Sequence, residues 1–116
     1  MVNLILASKS KVRKKILNKH NIENKAVPSN IDEDMVKASL LNEGASPEII
    51  SKNLAELKSN KVSQNNYDSL VLGADSVIDL NGELISKPNS RDEALKILKK
   101  LNGKRHFLIS SVCISK

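Results

Sequence analysis

Apolar and polar positions along this chain switch between short unbroken runs and helical spacing, and that switching predicts its elements in order. Residues Val2 to Ala7 (VNLILA) predict a buried strand, closed by the polar turn Ser8-Lys9-Ser10. Ser10 is a natural N-cap, and a helix is predicted from Lys11 to Lys19 with Ile16 and Leu17 facing inward. Ile22 to Pro28 predicts a second strand. Asn30 to Asp34 (NIDED) then places Asp32, Glu33 and Asp34 in a loop or at a helix start, where the dipole favours acids whether or not they do chemistry. A helix follows from Met35 to Asn42 and ends at Gly44. Ser46-Pro47-Glu48 opens another, running to Val62, with Ile50, Leu54 and Leu57 as its apolar stripe and Lys58 beside it. Lys52 and Lys61 read as ordinary solvated lysines.

The centre of the pattern is Leu70 to Lys87, LVLGADSVIDLNGELISK. Leu70 to Leu72 predicts a buried strand that narrows through Gly73 and Ala74 and delivers Asp75 at its tip. A second run, Val77 to Leu80, meets Asn81-Gly82, a strong signal for a type I′ hairpin turn, and returns as Glu83 to Ser86 before Lys87-Pro88. Ser90-Arg91-Asp92-Glu93 forms a capping box for a helix with Ala94, Ile97, Leu98 and Leu101 at helical spacing, stopped by Asn102-Gly103. Arg105 to Ile114 predicts a last strand.

Composition narrows the possibilities. With 116 residues there is room for one domain. Tyr67 and Phe107 are the whole aromatic complement, so the core must be aliphatic. The net charge of +6 favours anionic partners, but only Arg13, Arg91 and Arg105 are arginines, and lysine is more often a solvated surface than a readout device. Cys113 is the single cysteine, which excludes an intramolecular disulfide and a cysteine metal site; its apolar neighbours suggest a small core residue. No apolar run approaches the roughly 20 residues of a membrane-spanning helix, so the expectation is a soluble, cytoplasmic protein with no membrane partner.

Strand, hydroxyl-rich turn and helix start aim backbone N–H groups and the Ser8 and Ser10 hydroxyls at one spot, which suits a phosphate. Arg13, one turn into the helix, can fork onto phosphate oxygens, although the same pattern describes a plain N-cap with basic neighbours. There is no GxxxxGK[ST], so this is no P-loop. Lysines and carboxylates converging on a small-residue turn are what phosphate-anhydride hydrolysis needs, the cations holding phosphate oxygens and a carboxylate orienting water. A rival reading is a basic nucleic-acid-binding module built on Lys9, Lys11, Arg13, Lys14, Lys15 and Lys19, but it lacks an aromatic stacking platform.

The order of the motifs is more specific than any one of them. LILASKSKVRKKIL resembles the LASxSPRRxxLL opening of the Maf family of nucleotide pyrophosphatases. The likeness continues through the acidic IDE, NLAELKSNKV as LAxxKAxxV, VLGADSVIDLNGELISKP as GADTVVxxxGxIxxKP, and LNGKRHFLISSV as LSGxxHxVxTxV. It implies an α/β fold, a mixed sheet with flanking helices of the Maf/ITPase-like type, C-terminally truncated, with residues 1–116 as the N-terminal part of the domain. Carried across position by position, it implies Asp75 as catalytic base. Ser8, Ser10, Arg13, Lys58 and Lys87 become substrate-binding residues, and Glu33 with Asp75 becomes the ligand pair of a divalent cation, Mg²⁺ or Mn²⁺. The implied reaction splits a nucleoside triphosphate (dTTP, UTP or a modified nucleotide) into monophosphate and pyrophosphate, a nucleotide-pool house-cleaning step. A homodimer, common among such enzymes, is allowed and no nucleic acid partner is expected; the alternative is an inactive fragment. Here the family's SPRR is Ser10-Lys11-Val12-Arg13, so the proline and the first arginine are gone, the second arginine survives as Arg13, and Lys11 supplies a charge without a bidentate fork.

Overall fold

The computed structural model describes residues 3–85, 88 and 90–116. Among them the chain forms β1 (Asn3–Leu6), α1 (Lys11–Lys19), β2 (Lys25–Ala26), α2 (Glu33–Asn42), α3 (Pro47–Ser63), β3 (Ser69–Leu80), β4 (Glu83–Ile85), α4 (Arg91–Leu101) and β5 (Phe107–Ser115). Each helix start follows from a polar side chain that satisfies an orphan backbone N–H. Ser10 accepts from Arg13, Asp32 from Met35, Ser46 from Ile49 and Ser90 from Glu93. Asn81 and Gly82 both adopt positive φ, as a type I′ turn demands, and the Asp79 carboxylate accepts the Gly82 N–H at 2.6 Å.

The five strands make one mixed sheet, the expected α/β architecture. Strand β1 lies between β2 and β3, parallel to both, with Leu6 opposite Leu72. Antiparallel β4 pairs with residues 78–80 of β3, and antiparallel β5 runs along its other edge from Val71 to Asp79. Alternation along β3 turns Val71, Gly73, Asp75 and Val77, all buried, toward α3. Ile5, Ala7, Val62 and Val71 form the core on that face, with Val27 packed against it. Crossovers from β1 to β2 and from β2 back past β1 to β3 run in opposite directions across the sheet. The right-handed rule therefore assigns α1 and α3 to opposite faces, which accounts for the burial of Leu6 as well as Ile5.

Helix α3 meets β3 at very close range, and Gly73 is the reason. A Cβ there would stand 2.3 Å from the Ala55 carbonyl oxygen and 2.7 Å from the Ser59 nitrogen, both backbone atoms. The side of α3 that faces the strand is correspondingly small: Ser51, Ala55 and Ser59 are fully buried. Their hydroxyls donate to the sheet, Ser51 to the Asp75 carbonyl at 3.1 Å and Ser59 to that of Val71 at 2.9 Å.

Several expected details change. The predicted strand tip at Asp75 is the middle of one unbroken strand, because β5 continues the ladder through Asp75 and Ser76 and supplies the Ser110 hydroxyl to Ser76 at 2.9 Å. The strand expected over Ile22 to Pro28 contracts to Lys25–Ala26, the stretch that reaches β1. Helix α2 starts at Glu33, two residues before the expected Met35, because Asp32 caps it. Leu57 is exposed rather than part of the buried stripe, since the phase of α3 is set by its small residues; Lys61 is not merely solvated, donating to the Asn30 carbonyl at 2.9 Å. Ile16 is exposed where an inward position was expected, α1 having no buried residue, while Leu17 is half-buried. Cys113 is only half-buried, and Leu98 is exposed. Readings that fall on Val2, Ser86 and Lys87 lie outside the described residues.

On the sheet face away from α3, Leu108, Val112 and Ile114 of β5 stand exposed, opposite Ile78, Ala74 and Leu72. Among the described residues no strand pairs with the outer edge of β5.

Gly73→Ala should lower the unfolding free energy by about 2–3 kcal/mol through overpacking against backbone atoms. Gly44→Ala, at positive φ with nothing near its Cβ position, should cost about 1 kcal/mol. Urea denaturation of the two variants checks the difference.

Candidate active site

The site forms where β1 gives way to α1. The turn Ser8-Lys9-Ser10 folds on its own hydroxyls: the buried Ser8 oxygen accepts from the Ser10 N–H at 3.0 Å and from the Arg13 guanidinium at 3.1 Å. The Ser10 hydroxyl accepts the Arg13 N–H at 3.2 Å, capping α1. The Lys11 and Val12 N–H groups have no intrahelical acceptor, and Arg13 keeps further guanidinium donors, so the turn presents donors and positive charge together. The three residues expected to hold phosphate are thus brought into one hydrogen-bonded unit.

Beside it, α3 delivers Lys58 to two carboxylates from different elements. The Lys58 ammonium lies 2.6 Å from Glu33 at the start of α2 and 3.2 Å from Asp75 in β3. It also donates to the Ala74 carbonyl at 3.3 Å. Lys58 and Asp75 are both buried, so each charge depends on the other: removing one leaves an uncompensated charge in a poor solvent for it. The second Asp75 oxygen, Oδ2, is buried without a hydrogen-bond partner among the described residues. Such an acceptor stands ready for a proton or a cation.

A cavity of about 310 Å³ joins the two halves, lined by the turn with Arg13, by Ser29, Asn30 and Ile31, and by Glu33 and Lys58. Asp75 is not in that lining; Lys58 stands in the lining and contacts it directly. Of the residues singled out by sequence, Ser8, Ser10, Arg13, Glu33, Lys58 and Asp75 come together, and Lys87 lies outside the described residues. Sequence reasoning missed the wall 29–31. The available signal was Asn30, a residue type that tolerates left-handed backbone and has φ of 55° here, directly before the acidic run.

Among the described residues no cluster of three or more acids, histidines or cysteines could cage a metal ion. Two carboxylates sharing one cationic contact, one of them with an orphaned oxygen, fit a hard divalent cation that takes its remaining ligands from water and phosphate. The donor set suits Mg²⁺ or Mn²⁺ and does not suit a soft metal.

Comparison with known proteins bears on this geometry. A family model described as Maf-like protein matches residues 3–116. The chain belongs to the Maf family. It is 67% identical over 113 residues to a nucleoside triphosphate pyrophosphatase of Pelagibacter ubique, covering 97% of this chain and 58% of that protein. A nucleoside triphosphate pyrophosphatase of a Ruegeria species is 41% identical over 97% of this chain and 56% of its own. A 7-methyl-GTP pyrophosphatase of Brucella abortus is 38% identical over 99% of this chain and 58% of its own. The chain thus spans little more than half the length of these relatives. No described helix is long and apolar enough to cross a membrane.

Ser8→Ala removes the acceptor of two hydrogen bonds at a buried position and should cost about 1–2 kcal/mol. Ser110→Ala, which breaks one exposed hydroxyl pair, should cost less than about 0.5 kcal/mol. Thermal or urea unfolding distinguishes them.

Proposed function

We propose that this Maf family chain carries the phosphate-binding and acidic parts of a nucleoside triphosphate pyrophosphatase site. The observation that carries the reading is the single ammonium of Lys58, in the lining of a cavity whose other wall is the Ser8-Ser10-Arg13 turn, holding Glu33 of that lining and Asp75, which lies outside it. Cations on one side and paired acids on the other match the charge layout of a triphosphate about to lose pyrophosphate. The activities that the relatives are named for support the same class.

In this mechanism the turn holds phosphate oxygens through Arg13 and the open N–H groups of α1, fixing the chain of phosphates along the cavity. Lys58 moves part of its charge from the carboxylates to the phosphates, which uncovers Asp75. Its free Oδ2 then accepts a proton from water as the water oxygen bonds to the α-phosphorus. The bond from the α-phosphorus to the bridging oxygen breaks, and pyrophosphate leaves with that oxygen, leaving a nucleoside monophosphate. Glu33 and Asp75 would hold the divalent ion, Mg²⁺ or Mn²⁺, which supplies charge neutralisation on the triphosphate when bound. Lys87, by its place in the family pattern, adds a second cleft cation. The substrates are dTTP, UTP or modified nucleotides. The guanine nucleotide in the Brucella protein's name makes a methylated base the first modified candidate.

With dTTP, UTP or 7-methyl-GTP and Mg²⁺, the chain should release pyrophosphate, and Asp75→Asn should lower the rate by about 100-fold or more. Equal rates for both proteins would remove Asp75 from the role of base. Absence of both turnover and triphosphate binding in the wild type would overturn the reading for this chain.

A further inference from the structure

We infer that Lys61 is a positioning residue that sets the 29–31 wall of the cavity and, through it, the placement of Glu33. This rests on the proposed pyrophosphatase reading for its functional consequence, though not for its structural one. The need for such a residue follows from how little else holds this part of the chain. Residues 27–32 carry no regular structure, and α2, which follows, has no buried residue of its own. Glu33 therefore stands at the head of a helix whose apolar side chains, Val36 and Leu40 among them, are at most half-buried. The segment is tied at its start, where the Val27 N–H donates to the Leu6 carbonyl at 2.9 Å, and at its end by the cap from Asp32 to Met35.

Its middle is held by α3. Lys61 donates to the Asn30 carbonyl at 2.9 Å, and Asn30 is in the left-handed region with φ of 55°. Asparagine tolerates that conformation better than most residues, and the bond from Lys61 anchors the turn it makes to α3. Lys58 and Lys61 are three residues apart, hence neighbours on one face of α3. One grips Glu33 and the other grips Asn30, so a single helix face spaces the acid from the wall. Lys52, exposed on the same helix, makes no corresponding link among the described contacts and serves as the control.

The test compares the wild type with Lys61→Met, Lys61→Arg and Lys52→Met. Two quantities are measured: amide hydrogen exchange by segment, and affinity for a dTTP analogue with nitrogen bridging the α- and β-phosphates, in Mg²⁺. Lys61→Met should speed exchange of the Met35 and Val36 amides, which donate to Asp32, about fivefold while leaving β3 and the rest of α3 unchanged, as expected when the segment leading into Asp32 opens more often. It should weaken the analogue by a similar factor, about fivefold, because the wall and Glu33 would no longer be pre-set. Lys61→Arg should restore both and Lys52→Met should alter neither. Unchanged exchange at Met35 and Val36 in Lys61→Met, or a rise spread evenly over the whole chain, would overturn the inference. If the wild type fails to bind the analogue, the pyrophosphatase reading falls, and the exchange pattern still decides whether Lys61 sets the wall.

Discussion

The ammonium of Lys58 is the point on which the site depends. It is buried, it comes from a helix, and it meets a carboxylate from the strand beneath and another from a helix at the side. A charge in that position is tolerable only with its partners in place, so the packing of α3 on β3 and the seating of α2 are coupled to one electrostatic contact. Gly73 makes the contact reachable. By letting the backbone of α3 rest on the backbone of β3, it brings the base of Lys58 low enough to reach Asp75, two residues along the strand from the glycine and on the same face.

Topology explains why the chemistry gathers here. The crossovers from β1 to β2 and from β2 to β3 run in opposite directions across the sheet, and in open α/β sheets the crevice beyond the strand ends at such a switch point is where ligands bind. The Ser8 turn occupies that position after β1. Asp75 lies three residues beyond Leu72, the last β3 residue paired with β1, and so sits level with the turn. The Ala7 N–H donating to the Leu72 carbonyl at 2.9 Å fixes the two against each other.

Elements governed by local rules were legible in the sequence. Ser10, Ser46 and Ser90 cap helices as their positions required, and Asn81-Gly82 turns the hairpin. What escaped depends on partners far away in the chain. Asp75 and Ser76 looked like a strand end because two polar residues interrupt an apolar run, yet Lys58 and Ser110 satisfy them and the strand continues. On α3 the expected stripe holds at Ile50 and Leu54, both fully buried, and fails at Leu57. The line against β3 is the small series Ser51, Ala55 and Ser59, chosen by the close approach at Gly73. The Ser8-Ser10-Arg13 turn was readable from the residues themselves and the roles of Glu33, Lys58 and Asp75 from family resemblance; their mutual arrangement, with Lys58 between two acids and Asp75 outside the cavity lining, was not readable from spacing.

The most direct measurement of the central claim is a double-mutant cycle in stability between Lys58→Met and Glu33→Gln. If one ammonium couples α2 to the buried acid of β3, the cycle should show an interaction of about 1 kcal/mol or more between the two positions, reduced from a fully buried pair because Glu33 is partly exposed. Additive effects, within about 0.3 kcal/mol, would contradict the account.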